Sequence, residues 1–138
     1  MRAVVQNFLD ELDKRHLSHR NIEEFNGRTV VPLGFELSNL RTKIYVFFDE
    51  NDRSVAIRCF GFMKVSENQF PQALMCCNSL NKSMRWVKFY VDTDMEIHAE
   101  DDAIVDEETA GVEILELVMQ MAKIVDEAYP QINRAIWS

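Results

Sequence analysis

The sequence of 138 residues is poor in the residues that build tight loops and disulfide-bonded folds. It contains four glycines, three prolines and three cysteines, and two of the cysteines, Cys76 and Cys77, are adjacent. Three cysteines do not make the paired framework of a secreted protein, so we expect reduced thiols and a cytoplasmic location. No glycine lies in a G-x-x-x-x-G-K or G-x-G pattern, which excludes a phosphate-cradling loop for nucleotides.

Long apolar runs are also missing, although apolar residues make up 47% of the chain. No run approaches the roughly 20 residues of a membrane span, and the first fifteen residues lack the apolar segment of a signal peptide. A chain of this length can bury roughly 68–70% of its unfolded surface without a metal or a disulfide. We therefore expect one domain, residues 1–138, without membrane contact.

Lysine and arginine are absent from residues 89–122, and this stretch holds 11 of the 23 acidic residues. The net charge is −8, but the remainder of the chain has 15 basic against 12 acidic residues. Such a separation predicts one acidic surface, which repels a phosphate backbone. Nucleic acid is therefore not expected as a partner, and solubility is the simplest role of the acidic residues.

The strongest strand pattern lies in residues 85–105, RWVKFYVDTDMEIHAEDDAIV. Val87, Phe89 and Val91 alternate with polar or aromatic residues, as in a strand with two different faces. Pairing Val91 with Met95 across a three-residue loop places the apolar residues of both strands on one face. The same register sets Lys88 opposite His98 and Tyr90 opposite Glu96 on the second face.

A second hairpin is predicted from residues 43–49 and 54–62, with Asp49 pairing with Ser54 across a four-residue turn. A strand at residues 29–37 precedes it and belongs at a sheet edge, because Pro32 cannot donate a ladder hydrogen bond. The register of the hairpin puts Tyr45 opposite Arg58, Phe47 opposite Ala56 and Lys43 opposite Phe60.

Helical periodicity predicts three helices, at residues 3–16, at residues 66–84, and from Asp106 to a stop at Pro130. The order is then helix, three strands, helix, two strands, helix. Two blocks of antiparallel strands with separate helices indicate an α+β domain with one layer of helices on a sheet.

Three segments, IYVFFDENDRSVAIR, RWVKFYVDTDMEIHAE and LELVMQMAKIVDEAYPQINRAIW, resemble the YbjN family, which is described as bacterial regulators of sensory transduction. The resemblance covers the chain from the first strand onward. It implies the fold of type III secretion chaperones, an antiparallel five-stranded sheet with helices in αβββαββα order. Such chaperones work as homodimers that hold a partner segment, which implies a homodimer and a protein or peptide partner here. The family carries no catalytic residues to transfer.

Residues that could carry chemistry have simpler interpretations. Cys59 alternates with core residues and Cys77 lies on an apolar helix stripe, so neither fits an activated nucleophile with His98 as its base. His16 and His19 lack a third ligand nearby, and residues 92–103 lack the glycine and glutamate of a calcium loop. We predict no catalytic residue, no metal and no cofactor.

The second sheet face is the candidate binding surface, because aromatic residues and arginine are enriched at protein interfaces. Core packing is the alternative interpretation, and RNA binding of the RRM type is disfavoured by the strand order and the net charge. The predicted function is a non-enzymatic, cytoplasmic protein-binding or regulatory domain. The alternative is a small-ligand sensor or uncharacterised enzyme with a pocket between sheet and helices. The predicted surface consists of Tyr45, Phe47, Arg58, Phe60, Trp86, Lys88 and Tyr90.

Overall fold

The computed structural model describes residues 2–138, which form an antiparallel sheet and a layer of three α-helices. In chain order the elements are α1 (Ala3–Lys14), β1 (Glu23–Phe25), β2 (Arg28–Glu36), β3 (Arg41–Phe48), β4 (Ser54–Lys64), α2 (Phe70–Ser83), β5 (Lys88–Val91), β6 (Glu96–Ile104) and α3 (Ala110–Ile136). A 3-10 turn, Glu67–Gln69, leads into α2. The strands lie side by side in the order β1-β2-β3-β4-β6-β5, and each neighbouring pair is antiparallel.

The α+β class with an antiparallel sheet is confirmed, but the expected five strands and αβββαββα order are corrected. The sheet has six strands, and the order of helices and strands is αββββαββα. The additional strand is β1, which pairs only with Arg28, Thr29 and Val30 of β2. All three residues of β1 are exposed, so it has no apolar alternation by which a strand could be predicted.

The core lies between one face of the sheet and the helices. Ile44, Val46 and Ile57 are completely buried on this face, and α3 contributes Ile114 and Met121, which are also completely buried. Helix α3 contacts β3, β4 and β6, and both α1 and α2 pack against α3. Close-packed side chains therefore fill the centre of this layer, and a groove lies at its margin between the end of β6 and α3.

The β3–β4 hairpin has the predicted pairs Tyr45–Arg58 and Phe47–Ala56, although its ladder does not extend to Lys43 and Phe60, whereas the register of the β5–β6 hairpin is shifted by two residues. Val91 lies opposite Ile97 instead of Met95. A shift of two residues keeps each side chain on its predicted face, because the side-chain period of a strand is two. On the second face the observed pairs are Lys88 with Glu100 and Tyr90 with His98.

The side chain of Asp92 explains the longer loop of this hairpin. Its Oδ1 accepts the backbone N–H groups of Asp94 at 2.9 Å and Glu96 at 3.0 Å. Met95 adopts a φ of +64°, so it belongs to the turn. An aspartate that binds its own backbone two residues on commonly fixes a turn in this way. Residues 92–95 are therefore the loop, and β6 begins at Glu96.

The predicted edge position of β2 holds for its second half. Strand β1 covers only Arg28–Val30, and beyond it the backbone N–H of Arg20 donates to the carbonyl oxygen of Pro32 at 2.9 Å. In an antiparallel strand the N–H and C=O of one residue point to the same side. The missing N–H of Pro32 is thus on the outer side, where no ladder bond with β3 is lost.

Helix α3 does not end at Pro130 but continues to Ile136. Proline removes the hydrogen bond to the carbonyl four residues earlier, here that of Asp126. The Nδ2 of Asn39, in the loop between β2 and β3, donates to this oxygen at 2.9 Å, and the backbone N–H of Asn39 donates to Asp126 Oδ1 at 2.8 Å. Within residues 2–138, no helix is long and apolar enough to cross a membrane.

Candidate protein-binding face

The sheet face turned away from the helices, here called the open face, carries a stripe of aromatic rings. Tyr45 lies 5.6 Å and Phe47 lies 6.1 Å from Phe60, measured between ring centroids. The stripe continues from Phe60 to His98 at 5.9 Å and from His98 to Tyr90, which is stacked on it at 5.0 Å. Phe60 is 45% exposed and Tyr90 is 41% exposed, so the helix layer leaves these rings accessible.

Arg58 lies beside the aromatic stripe, opposite Tyr45 in the β3–β4 ladder. Its Nη1 lies 2.9 Å from Asp102 Oδ1 and donates to the carbonyl oxygen of Asp101 at 3.0 Å, while its Nε lies 3.6 Å from Glu100 Oε2. The side chain is only 19% exposed. Arg58 is therefore held in place by β6, and it separates the stripe from an acidic margin.

The structure places Lys88 on the open face but moves Trp86 away from it. Lys88 is exposed, and its Nζ donates to the carbonyl oxygen of Asn81 at 3.2 Å at the end of α2. Trp86 lies before β5 with a φ of +73°, so strand alternation does not govern its direction. Its ring lines a groove with Ile104 and Leu117 and does not belong to the aromatic stripe.

Among the seven predicted residues, the structure therefore brings five together, leaves Lys88 on the same face with its ammonium bound to the end of α2, and places Trp86 elsewhere. The expectation that the second face could be simple core is met only in part, because Tyr45 and Phe47 are half-buried whereas Phe60 and Tyr90 are exposed. The residues that form the stripe with its neighbouring cation are Tyr45, Phe47, Arg58, Phe60 and Tyr90.

Sequence reasoning missed His98, which is the central ring of the stripe and is only 8% exposed. The backbone N–H of Gly61 donates to its Nδ1 at 2.9 Å. Because Nδ1 accepts, the ring proton lies on Nε2, which donates to Asp92 Oδ2 at 2.5 Å. The alternation of His98 with Ile97 and Ala99 showed its face, but its partners come from β4 and from the turn.

Asp92, Glu96 and His98 are the only residues in the described part of the chain whose ligand atoms cluster as a metal site would require, within 4.8 Å of one another. The hydrogen bonds of His98 do not fit a bound cation. Its Nε2 carries a proton toward Asp92, and Nδ1 is occupied by the Gly61 N–H, so neither nitrogen offers a lone pair to a metal. We interpret this cluster as the hydrogen-bonded support of the β5–β6 turn.

The hydrogen bond from the backbone N–H of Glu96 and the hydrogen bond with His98 also hold the pKa of Asp92 below its usual range.

The pKa values of the cysteines are shifted in the opposite direction. Burial raises the pKa of Cys59 and of Cys77 to about 11, so both thiols are protonated near neutral pH. Cys59 is on the helix-covered face of the sheet, whereas His98 is on the open face, so His98 is not placed to act as a base for this thiol.

Comparison with known proteins agrees with this architecture. The model of the YbjN family, described as "Putative bacterial sensory transduction regulator", matches residues 3–134. Among solved structures, the chain is similar to YbjN from E. coli, described as "a putative transcription regulator". The two share 15% sequence identity with a TM-score of 0.58, and the match covers 92% of each chain. A search of curated protein sequences finds no match.

Proposed function

Because the chain belongs to the YbjN family, we propose that it is a non-enzymatic regulatory domain that acts by binding protein through its open face. The observation that carries this proposal is the stripe of packed rings, with Phe60 and Tyr90 exposed, on a sheet face without a helix layer. Large aromatic side chains with a neighbouring arginine supply most of the binding energy in many protein interfaces. The rings pack against one another, so little conformational freedom remains to be lost on binding.

The first partner that we propose is a second copy of the chain. The β2–β3 side of the open face carries Lys43, which has no ion pair within residues 2–138, whereas the β6 side carries Glu100 and Asp102. Two copies related by a two-fold axis across the aromatic stripe would bring the basic side of each against the acidic side of the other. Aromatic contact would then supply affinity, and the charges would supply orientation.

Further observations support the other parts of the proposal. The protonated thiols and the absence of a nucleophile beside His98 support a non-enzymatic role. The three free cysteines support a cytoplasmic location. A single helix layer on an antiparallel sheet supports comparison with secretion chaperones, as an architecture that leaves one sheet face for a partner. The acidic margin favours regulation through proteins over direct binding of nucleic acid.

Light scattering on purified variants tests the open face. We expect the unmodified protein to be dimeric at micromolar concentration and both Phe60→Ser and Tyr90→Ser to weaken the dimer about tenfold or more. Met75→Ser is the matched control, because Met75 is 73% exposed on α2, away from this face. Trp86→Ala is expected to behave like the control, since Trp86 lies outside the stripe.

A protein that is monomeric at high concentration would remove the homodimer from the proposal. Affinity capture from the native lysate then decides between the remaining possibilities. A partner that is captured by the unmodified protein but not by Phe60→Ser would keep the protein-binding function with a different occupant. Normal dimerisation and normal capture by both serine variants would rule out the open face as the binding surface.

A further inference from the structure

A second feature, distinct from the aromatic stripe but sharing Lys43 with the open face, is a cleft of about 620 Å³ at the turn end of the β2–β3 hairpin. Its walls come from residues 18–20 on one side and from the ends of β2 and β3 on the other. Four of its side chains belong to arginine, lysine or histidine, although the whole chain carries a net charge of −8. They are His19, Arg20, Arg41 and Lys43.

The position of Arg20 is fixed by the backbone. Its N–H donates to the carbonyl oxygen of Pro32 at 2.9 Å, and its own carbonyl oxygen lies 2.6 Å from His19 Nδ1. The guanidinium lies over Gly34, where a β-carbon would be 3.2 Å from Nη2. The missing side chain of Gly34 therefore makes the space in which the guanidinium of Arg20 lies against the strand.

The charges of the cleft are only partly neutralised. Arg41 pairs with Glu36, with 2.9 Å between Nη2 and Oε1. By contrast, neither Arg20 nor Lys43 has an ion pair with any residue in the range 2–138. Two exposed cations without ion-pair partners thus line one cleft, where an anion would be attracted by both charges.

We propose that this basic cleft binds the phosphate group of a small organic molecule. A guanidinium offers paired N–H donors that match phosphate oxygens, and a lysine ammonium adds a point charge. The volume is in the range of small-molecule sites and exceeds what inorganic phosphate alone would fill. A nucleic acid is disfavoured, because its length would extend from the cleft into the field of an acidic protein, whereas a small anion responds mainly to charges within about 8–10 Å.

Isothermal titration calorimetry with ribose 5-phosphate and adenosine monophosphate tests the proposal, with inorganic phosphate and ribose as comparison ligands. We expect at least one of the two organic phosphates to bind more tightly than inorganic phosphate, and ribose not to bind. Arg20→Ala is expected to weaken binding about tenfold or more, as is Lys43→Ala. Gly34→Ala keeps every charge and moves the guanidinium of Arg20 only slightly, so it is expected to weaken binding less than Arg20→Ala does.

Arg53→Ala is the matched control, because it removes one exposed positive charge at the opposite end of β3. The affinity of this variant is expected to stay within about twofold of the unmodified protein. Thermal unfolding of each variant without ligand shows whether it is folded. The proposal is overturned if neither organic phosphate binds, if inorganic phosphate binds equally well, or if Arg53→Ala weakens binding as much as Arg20→Ala.

Discussion

Asp101 is the residue whose charge fits its surroundings least. It follows Ile97 and Ala99 on the helix-covered face of β6 and lies opposite Ile57. Its Oδ2 is buried and has no hydrogen-bond partner in the described chain. Burial raises the pKa of this carboxyl to about 6, and the nearby Arg58 and Lys88 only partly oppose the shift. The folded protein therefore keeps the proton on Asp101 to a higher pH than the unfolded chain does, although the carboxyl is mostly ionised at pH 7.

This shift predicts a pH-dependent cost in stability. An unfolded aspartate titrates near pH 3.9, so between about pH 4 and pH 6 the folded state holds a proton that the unfolded state has lost. Stability contributed by Asp101 is thus present below about pH 4 and is lost as pH rises through about 6. We expect Asp101→Asn to gain about 1 kcal/mol at pH 7, after allowance for solvent screening at a half-exposed site, and little at pH 4.

Urea unfolding at pH 4 and pH 7 measures the difference, and Asp94→Asn in the exposed β5–β6 turn serves as a control for the loss of one charge. An equal gain for Asp101→Asn at both pH values would show that hydrogen bonding, and not ionisation, determines its effect.

Gly111 is a position where the absence of a side chain permits a close contact between helices. A β-carbon there would lie 2.4 Å from the backbone oxygen of Asn7 in α1. The side-chain amide of Asn7 also donates to the carbonyl oxygen of Glu107, just before α3. The first turn of α3 is thus held directly against the backbone of α1.

We expect Gly111→Ala to lower the free energy of unfolding by about 1–3 kcal/mol, because α1 must move away from the new methyl group. Helix propensity alone predicts the opposite sign, since alanine is favoured over glycine by about 1 kcal/mol in a helix. Chemical denaturation decides between them. Val112→Ala, at a neighbouring position that is 52% exposed, should change stability far less.

At the scale of elements, the continuation of α3 past Pro130 depends on the loop between β2 and β3. Asn39 supplies the hydrogen bond that the proline cannot make, and it binds the side chain of Asp126 as well. We expect Asn39→Ala to cost about 1–2 kcal/mol, because the carbonyl oxygen of Asp126 loses its partner. Circular dichroism during denaturant unfolding measures this loss and any fraying of the last turns of α3.

A double-mutant cycle with Pro130→Ala tests the proposed reason. Alanine at position 130 restores a backbone N–H for Asp126, so Asn39→Ala should cost less in that background. Additive effects of the two substitutions would contradict the compensation and would mean that Asn39 stabilises the loop by itself.

The β5–β6 hairpin shows which information strand periodicity contains. Its alternation assigned Phe89, Ile97 and Ala99 to the core correctly, because a face assignment needs only parity. The register required the conformation of the turn, which depends on the carboxylate of Asp92 and the positive φ of Met95. The predicted register and the observed register agree equally well with the alternation in the sequence, and only the conformation of the turn distinguishes them.

At the scale of the whole molecule, the charges are separated into an acidic margin along β6 and a basic side along β2 and β3. If two copies associate through the open face as proposed, salt should weaken the dimer. We expect the dissociation constant to rise several-fold between about 0.05 and 0.5 M sodium chloride, because exposed charges are screened. Sedimentation equilibrium measures it, and Asp102→Asn, at a side chain that is 70% exposed, should reduce the salt dependence. Tighter association at high salt would show that burial of the rings dominates and that the charges do not orient the dimer.

The sequence by itself determined the α+β class, the helix-covered face of the sheet, the β3–β4 register and the family, because periodicity and turn residues are local properties. The sequence did not predict the sixth strand, because all three residues of β1 are exposed and the strand is held only by its pairing with β2. Tertiary structure decided the remainder. Asn39 donates a hydrogen bond to Asp126 of α3, which is 87 residues later in the chain, and Gly61 donates one to His98, which is 37 residues later. Contacts between residues so distant in the chain leave no period in the sequence, so the central place of His98 in the aromatic stripe, the displacement of Trp86 and the basic cleft could be recognised only in the folded protein.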